Sequence, residues 1–358
     1  MMKVHIKFII NKFVKSFLFV SIIFLSLVLI LNILTEVEFF KEIKVKAYLP
    51  LYVSFLNSPT LLFEMFPFVF LISTQIFFIN IFNQNQIEIF KYSGLKNSKL
   101  LFIISFTSLI LGFLIIFFFY SFSSNLKNVY LEIKNKYTND DKYLAVITNN
   151  GLWIKDAHSG KINIIHASKI DNNFLIDTFI TQYDSNNEVI RHIQSEKIDI
   201  SKNKWIIFNS KIFSKDIVQK INILDIYSNF DYKKIQSLFS NLSSLSILEL
   251  IKLKKNYDLL NYSTIEVELH LQRLLSYPFY LLLMTILSSI IMFNTKHFNS
   301  NTLKISIGLL MSVIIYYINN FFFVMGKSEK FPITLSIWLP LFFLIIVNAS
   351  ISFKFNEK

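Results

Sequence analysis

Six long apolar runs decide what this chain can fold into. Each is about 20 residues long, the length that crosses a lipid bilayer as a helix. Glu64, near the start of the second run, is the one acidic residue within them. The sequence therefore predicts an α-helical membrane protein with six transmembrane helices. The runs are Phe13–Leu34, Leu61–Phe82, Leu100–Phe122, Leu274–Phe293, Leu303–Met325 and Ile333–Phe353.

The composition agrees with this class and excludes several others. Hydrophobic residues make up 53% of the chain and charged residues 17%, whereas soluble domains carry about 25% charged residues. The absence of cysteine excludes disulfides and thiolate metal sites. The net charge is +12, but the lysines are spread along the chain instead of being clustered on one stripe. No nucleic-acid partner is predicted.

The distribution of lysine predicts the orientation in the membrane. The flanks on the side of the two termini carry eleven Lys or Arg residues, and the short flanks on the other side carry five. Because positive residues are enriched in cytoplasmic loops, both termini are predicted to be cytoplasmic. The long insert 123–272, which divides the runs three and three, is then predicted to lie outside the cytoplasm.

The first part of this insert reads as β-strands. Short segments rich in Ile, Val, Phe and Thr alternate with turn clusters such as Asn149-Asn150-Gly151, at a spacing typical of a sandwich or open barrel. The predicted strands are Leu144–Thr148, Leu152–Lys155, Lys161–Ile170, Phe174–Tyr183, Glu188–Ile200, Lys204–Phe208 and Ile217–Ile226. Trp153 is interpreted as a core aromatic residue of this domain.

The end of the insert turns helical. Ser246-Ile247-Leu248-Glu249 and Ser263-Thr264-Ile265-Glu266 both have the capping-box pattern of a helix start. The second box predicts a helix that continues into the fourth transmembrane run, where Pro278 should kink or loosen it. The predicted domains are therefore 1–122 with three transmembrane helices, 123–272 as the β domain with its helical end, and 273–358 with three more.

No catalytic pattern is visible in the sequence. The six histidines are scattered without metal-ligand spacing, and Gly326-Lys327-Ser328 lacks the earlier glycine of a phosphate-binding loop. No bound cofactor or metal is predicted. The remaining readings are a permease without its own nucleotide site, another class of ABC permease of the mechanotransmitter type, or a membrane-anchored assembly factor.

Several local motifs, in their order, resemble one known family. The layout of three spans, an outer β domain and three spans is similar to the LptF/LptG family of lipopolysaccharide-export permeases, and the Trp153 motif makes it more like LptG. The motifs are Pro59, Phe66-Pro67, the polar segment Asn83–Ser98 with Ser93-Gly94, Gly151–Asp156, Lys204-Trp205 and Ile265–Phe279 with Pro278.

The resemblance implies a half-transporter in the bacterial inner membrane. Its expected partners are a second, LptF-like permease, a cytoplasmic LptB-like ATPase dimer that hydrolyses ATP, an LptC-like periplasmic protein, membrane lipid and lipopolysaccharide itself. The β domain is then expected to be a periplasmic jelly roll. A helix over 84–98 is expected to couple the permease to the ATPase.

Two groups of site residues follow from the resemblance. The ATPase-coupling residues are Gln86, Ile87, Glu88, Phe90, Lys91 and Gly94, with Ile87, Phe90 and Ile89 as the apolar side and Gly94 as the end of the helix. The family usually has an acidic residue where this chain has Gln86. The expected substrate contacts are Lys41, Lys44 and Lys46, which could bind lipid phosphates; plain headgroup contact is the alternative.

Overall fold

The chain forms two compact units. A computed structural model describes residues 4–92, 94–137, 152–158, 161–171, 173–184, 188–214, 217–232, 235, 241–259, 263–295 and 300–356. The helical unit comprises Met1–Lys127 and Ile265–Lys358, and the β unit comprises Asn128–Thr264. The predicted strand Leu144–Thr148 lies outside the described residues.

The six predicted transmembrane helices are confirmed. Six helical stretches are long and apolar enough to cross a membrane, and each starts within or ahead of one predicted run. The third is continuous from Asn97 to Asn135 and includes a π-helical turn, Ile115–Tyr120. The helices are α1 Val4–Phe39, α2 Leu49–Asn83, α3 Gln86–Tyr92, α4 Asn97–Leu114, α5 Ser121–Asn135, α6 Ile247–Leu259, α7 Ile265–Asn294, α8 Asn301–Lys327 and α9 Ile333–Asn356.

Helix α7 is the centre of the helical unit. It packs against α2, α4, α8 and α9, while α1 packs mainly against α2. Met284 and Leu287 of α7 are fully buried in a cluster with Leu71 of α2 and Leu341 of α9. Polar side chains add cross-links, since the Ser288 hydroxyl donates to the Leu71 carbonyl oxygen at 2.7 Å. Apolar packing and hydrogen bonds therefore both hold the bundle.

Helix α8 is held closely to α2 through a glycine. A Cβ atom at Gly308 would lie 2.1 Å from Nε2 of Gln75, so a larger residue would have to displace this side-chain amide. The Gln75 amide in turn donates to the carbonyl oxygen of Lys304 at 2.9 Å. Small residues at helix crossings allow such close approach in membranes. The first turns of α8 are thus fixed to the last third of α2.

The π-helical turn lies beside a buried polar pair. Tyr120, its last residue, shares a hydrogen bond of 2.9 Å with Nε2 of His270 on α7. The Phe63 ring stacks on Tyr277 with centroids 4.6 Å apart, and the Tyr277 hydroxyl donates to the Phe63 carbonyl oxygen.

Helix α7 stays continuous through Pro278 and begins within a residue of the start predicted by the capping box.

The β unit contains one antiparallel sheet of six strands in the described residues. Each strand pairs with its neighbours in sequence, so the order is that of a meander. The crossed connections of a jelly roll, which the resemblance implied, are not among the described strands. The strands are β1 Leu152–His158, β2 Lys161–Asp171, β3 Phe174–Tyr183, β4 Val189–Asp199, β5 Lys204–Ser214 and β6 Ile217–Tyr227.

The alternation of buried and exposed side chains in the sheet is interrupted once in β5 and once in β3. In β5, Trp205 and Ile207 are buried, and the next buried residues are Ser210 and Ile212. Asn209, between these two pairs, has a φ of 49°. Asp177 of β3 has the same φ and separates Leu175 from Thr178 in the same way. These irregular residues bend the strands while keeping the apolar side chains on one face.

Candidate functional site

The predicted coupling segment folds as a short helix with a defined end. Helix α3 spans the seven residues Gln86–Tyr92, so the prediction of one helix over 84–98 was too long. Gly94 has a φ of 77°, and the amide of Leu95 donates to the carbonyl oxygen of Phe90 at 2.9 Å. This is the six-to-one bond of a Schellman cap, which favours glycine at that position. Gly94 ends the helix, as predicted.

The two faces of α3 differ in exposure. Ile87 and Phe90 are 6% and 7% exposed, and the Phe90 ring meets Phe8 of α1 edge-on at 6.3 Å. Ile89 is 61% exposed and Tyr92 is 91% exposed. The prediction that Ile89 lies on the same apolar side as Ile87 and Phe90 was therefore wrong. The packed side holds α3 against its own chain, and the outward side presents Ile89, Tyr92 and the exposed Glu88.

The start of α3 is tied to the first helix by amide groups. Lys12 Nζ donates to Oε1 of Gln84 at 2.6 Å and to Oε1 of Gln86 at 3.0 Å. The Gln86 amide also donates to Oε1 of Gln84 at 2.7 Å. Gln86 is thus a link between helices instead of an isolated polar residue. The side chain of Lys91, another predicted coupling residue, lies outside the described part of the chain.

The three predicted substrate lysines lie in the connection between α1 and α2. Lys41, Lys44 and Lys46 are all exposed, and Lys46 Nζ lies 5.9 Å from the centroid of the Tyr48 ring. Among the described residues, no ion pair involves them. They follow the end of α1, whereas Lys12 and the contacts of α3 lie near its beginning. Since a 36-residue helix is about 54 Å long, the two predicted sites lie far apart.

A cavity in the helical unit brings together charged residues that the sequence analysis did not connect. It has a volume of about 60 Å³ and lies among α2, α7, α8 and α9. Glu64 and Arg273 both line it, and the Arg273 guanidinium lies 5.4 Å from the centroid of the Phe323 ring. Ionisable groups within membrane helices are rare and usually functional. Its polar lining consists of Glu64, Arg273, Ser276, Tyr277, Tyr280, Tyr316, Asn319, Asn320 and Ser336.

The signal for this cavity was available in the sequence, although it was weak. Arg273 is one of only two arginines in the chain, and it lies next to the fourth apolar run. Glu64 is the one acidic residue in the six runs. Their approach depends on the packing of α2 against α7, which a single sequence does not give. Tyr92 could have been found from the sequence, since its spacing of three from Ile89 places both side chains on one helical face.

The two tryptophans of the β unit have opposite environments. Trp153 is 55% exposed, with its ring 4.4 Å from that of His166, so its interpretation as a core residue was wrong. Trp205 is fully buried, and its indole nitrogen donates to the carbonyl oxygen of Phe230 at 2.8 Å. Asp156, from the Trp153 motif, is fully buried and accepts a hydrogen bond of 2.9 Å from the Asn229 side chain. This motif therefore anchors β1 to the chain that follows β6.

Comparisons with known proteins give one result. Residues 7–353 match the family model described as lipopolysaccharide export system permease LptF/LptG. The match covers nearly the whole chain, and it does not distinguish the LptF from the LptG type. No curated protein matches the sequence.

Proposed function

We propose, for a chain that belongs to the LptF/LptG family of lipopolysaccharide export permeases, that it is the LptG-type half of an ATP-driven exporter. In this proposal a second, LptF-like permease completes the membrane pathway, and an LptB-like ATPase dimer hydrolyses ATP on the cytoplasmic side. An LptC-like protein receives lipopolysaccharide from the periplasmic β unit. The cargo leaves the outer leaflet of the inner membrane.

The observation that carries the coupling role is the division of α3 into two faces. Buried Ile87 and Phe90 fix the helix to its own bundle, and the Gly94 cap closes it. A helix anchored in this way transmits a push from outside to the bundle. We assign the contact with the ATPase to the outward residues Glu88, Ile89 and Tyr92, and the mechanical anchoring to Ile87 and Phe90.

Two isoleucines on α3 offer a matched test. Ile89→Ala should lower recovery of the ATPase with the detergent-solubilised permease while leaving the permease's thermal stability unchanged. Losing the contact of one apolar side chain should cost about 1–2 kcal/mol of docking free energy, roughly tenfold in affinity. Ile87→Ala makes the same chemical change at a buried position, so it should lower both recovery and stability.

Two further variants complete this test. Glu88→Lys should also weaken ATPase recovery, because it reverses a charge on the outward face. Gln86→Glu should be tolerated, since the new carboxylate would accept from Lys12 with a full charge, which offsets the lost bond from the Gln86 amide to Gln84. Normal ATPase recovery and normal export in both Ile89→Ala and Glu88→Lys would contradict the assignment of α3 as the coupling helix.

We assign the recognition of anionic lipid to Lys41, Lys44 and Lys46. Each positive charge near an anionic membrane surface contributes about 1 kcal/mol, and all three side chains are exposed. Lys41→Glu should lower lipopolysaccharide export without lowering assembly of the complex. Unchanged export in the triple Lys→Ala variant would instead favour simple headgroup contact.

The buried face of the β unit is the proposed path for acyl chains. Its residues Ile193, Ile198 and Ile207 are fully buried, so acyl chains can enter only if the unit opens. Photo-crosslinkers at these positions should capture lipid during ATP turnover and much less without ATP. Equal capture in both conditions would contradict an opening driven by transport.

The proposed orientation places both termini in the cytoplasm and the β unit in the periplasm. Reporter fusions at Asn149 and Lys358 test it, since they should report opposite sides of the membrane. The same side for both fusions would contradict the orientation, and with it the placement of α3 on the ATPase side.

A further inference from the structure

Helix α6 of the β unit is a well-formed helix with one buried side. Its capping box is confirmed, because the Ser246 amide and hydroxyl both donate to the Glu249 carboxylate at 2.8 Å. Leu250 and Leu253 are 0% and 2% exposed. These two leucines fix which side of α6 faces the protein.

The opposite side of α6 carries an uncovered apolar pair. Leu248 is 72% exposed and Ile251 is 52% exposed. Lys252 and Lys255 are also exposed and lie four and seven residues after Leu248, so all four side chains share one helical face. Glu249, already engaged by the cap, and Asp258 lie at the two borders of this face. Within the described residues, an apolar centre is thus combined with two lysines.

The position of α6 in the chain limits what this face can meet. Helix α6 ends at Leu259 and the membrane-spanning α7 begins at Ile265. The five intervening residues reach at most about 20 Å. The predicted apolar run begins at Leu274, so the first nine residues of α7 extend it about 14 Å beyond the hydrocarbon. A tether of this length keeps α6 within reach of the lipid headgroups.

We propose that the face formed by Leu248, Ile251, Lys252 and Lys255 docks on the surface of an anionic lipid bilayer. Exposed aliphatic side chains enter the boundary between headgroups and acyl chains, and lysines beside them contact lipid phosphates. This is the composition that binds lipid surfaces. A protein interface of comparable size is usually depleted in lysine at its centre. The inference does not depend on what the permease transports.

The absence of cysteine makes a direct test possible in the full-length chain. Ile251→Cys carries a nitroxide spin label, and the protein is reconstituted in nanodiscs of phosphatidylcholine with phosphatidylglycerol. Collision rates of the label with oxygen and with a water-soluble nickel chelate report its depth. Val218→Cys is the control, because Val218 is an apolar residue of the same unit and is 60% exposed.

The label at position 251 should collide severalfold less often with the nickel chelate than the label at position 218, and more often with oxygen. Lys252→Glu with Lys255→Glu should reduce this difference, as should nanodiscs of phosphatidylcholine alone. The buried Leu250 and Leu253 are untouched, so the fold is retained. Equal, water-like collision rates at positions 251 and 218 would overturn the proposal. Protection that appears only when a partner protein is added, independent of lipid charge, would overturn it as well.

Discussion

The helical unit and the β unit both have apolar cores, but they differ in what they leave exposed. Inside the helical unit, Ser108, Thr285 and Ser288 are fully buried, while Ile22 and Phe117 are 66% and 64% exposed. Inside the β unit the fully buried residues are mainly aliphatic, and most lysines, aspartates and asparagines lie outside, with Asp156 as a fully buried exception. Lipid is as apolar as leucine, so helices in a membrane gain little by burying apolar residues and pack through small and polar ones. The strands follow the pattern of soluble proteins, in which apolar side chains are buried and charged ones are exposed.

This contrast changes how each unit should respond to substitution. In the β unit, stability should come mainly from the volume of large side chains in the core. In the helical unit, it should come from close approach and from hydrogen bonds between helices. The least buried helices, α1 and α8, have the most apolar surface available for lipid or for a second subunit.

The largest effect is expected for the buried tryptophan of the β unit. Trp205→Ala leaves a cavity and removes the bond to Phe230, so it should cost about 3–5 kcal/mol. Trp153→Ala makes the same change at an exposed position and should stay within about 0.5 kcal/mol. Amide hydrogen exchange of β5 in the full-length chain measures both. Similar loss of protection in the two variants would show that the β unit has no large-residue core.

The next effect tests close approach in the helical unit. Gly308→Leu should force α8 away from Gln75 and cost about 1–3 kcal/mol by overpacking. The midpoint of thermal aggregation in detergent should fall, and adding Gln75→Ala should recover part of it. Leu310→Ala is the control, since Leu310 lies on the exposed side of α8. A Gly308→Leu variant as stable as wild type would mean that the Gln75 side chain moves aside without cost and that Gly308 is not needed for the packing of α2 against α8.

The sequence was sufficient for some of these features and insufficient for others. Run lengths found all six helices, because hydropathy alone decides membrane insertion. Strand β5 was predicted to end at Phe208, but it continues to Ser214, and Asn209 is an irregular residue within it. Whether a strand residue is buried depends on such irregular residues, which shift the alternation of side chains, and on which face of the sheet is covered.

The coupling segment shows the same limit at a smaller scale. The position of Gly94 was enough to predict where α3 ends, because helix caps are a local matter. The assignment of Ile89 failed because adjacent isoleucine and phenylalanine residues do not reveal which side another helix covers. The link from Lys12 to Gln84 and Gln86 joins positions 72 and 74 residues apart. Nothing in the local pattern indicates it.

A smaller effect is expected from one hydrogen bond between helices. The Thr285 hydroxyl donates to Oγ of Ser108 at 2.9 Å, inside the bundle. Thr285→Val keeps the shape and should cost about 0.6 kcal/mol, the average for such bonds in a membrane protein. A double-mutant cycle with Ser108→Ala, measured by unfolding in detergent, isolates the pair. A coupling free energy near zero would mean that this hydrogen bond does not stabilise the packing of the helices.

The smallest effect is expected at the surface of the β unit, where Lys204 Nζ and Asp225 lie 2.6 Å apart across β5 and β6. The hydrogen bond from Lys204 to Asp225, followed by the attraction of the carboxylate, raises the pKa of this lysine. A raised lysine pKa means that the pair's contribution is complete below the usual lysine pKa and is lost as the pH rises through the raised value. At pH 7 the pair is therefore fully formed, yet both side chains are largely exposed and screened by water. Lys204→Gln should leave hydrogen exchange of β5 and β6 unchanged at pH 7, in low and high salt alike. A loss as large as that of Thr285→Val would mean that charge pairs, and not only buried volume, hold the β unit together.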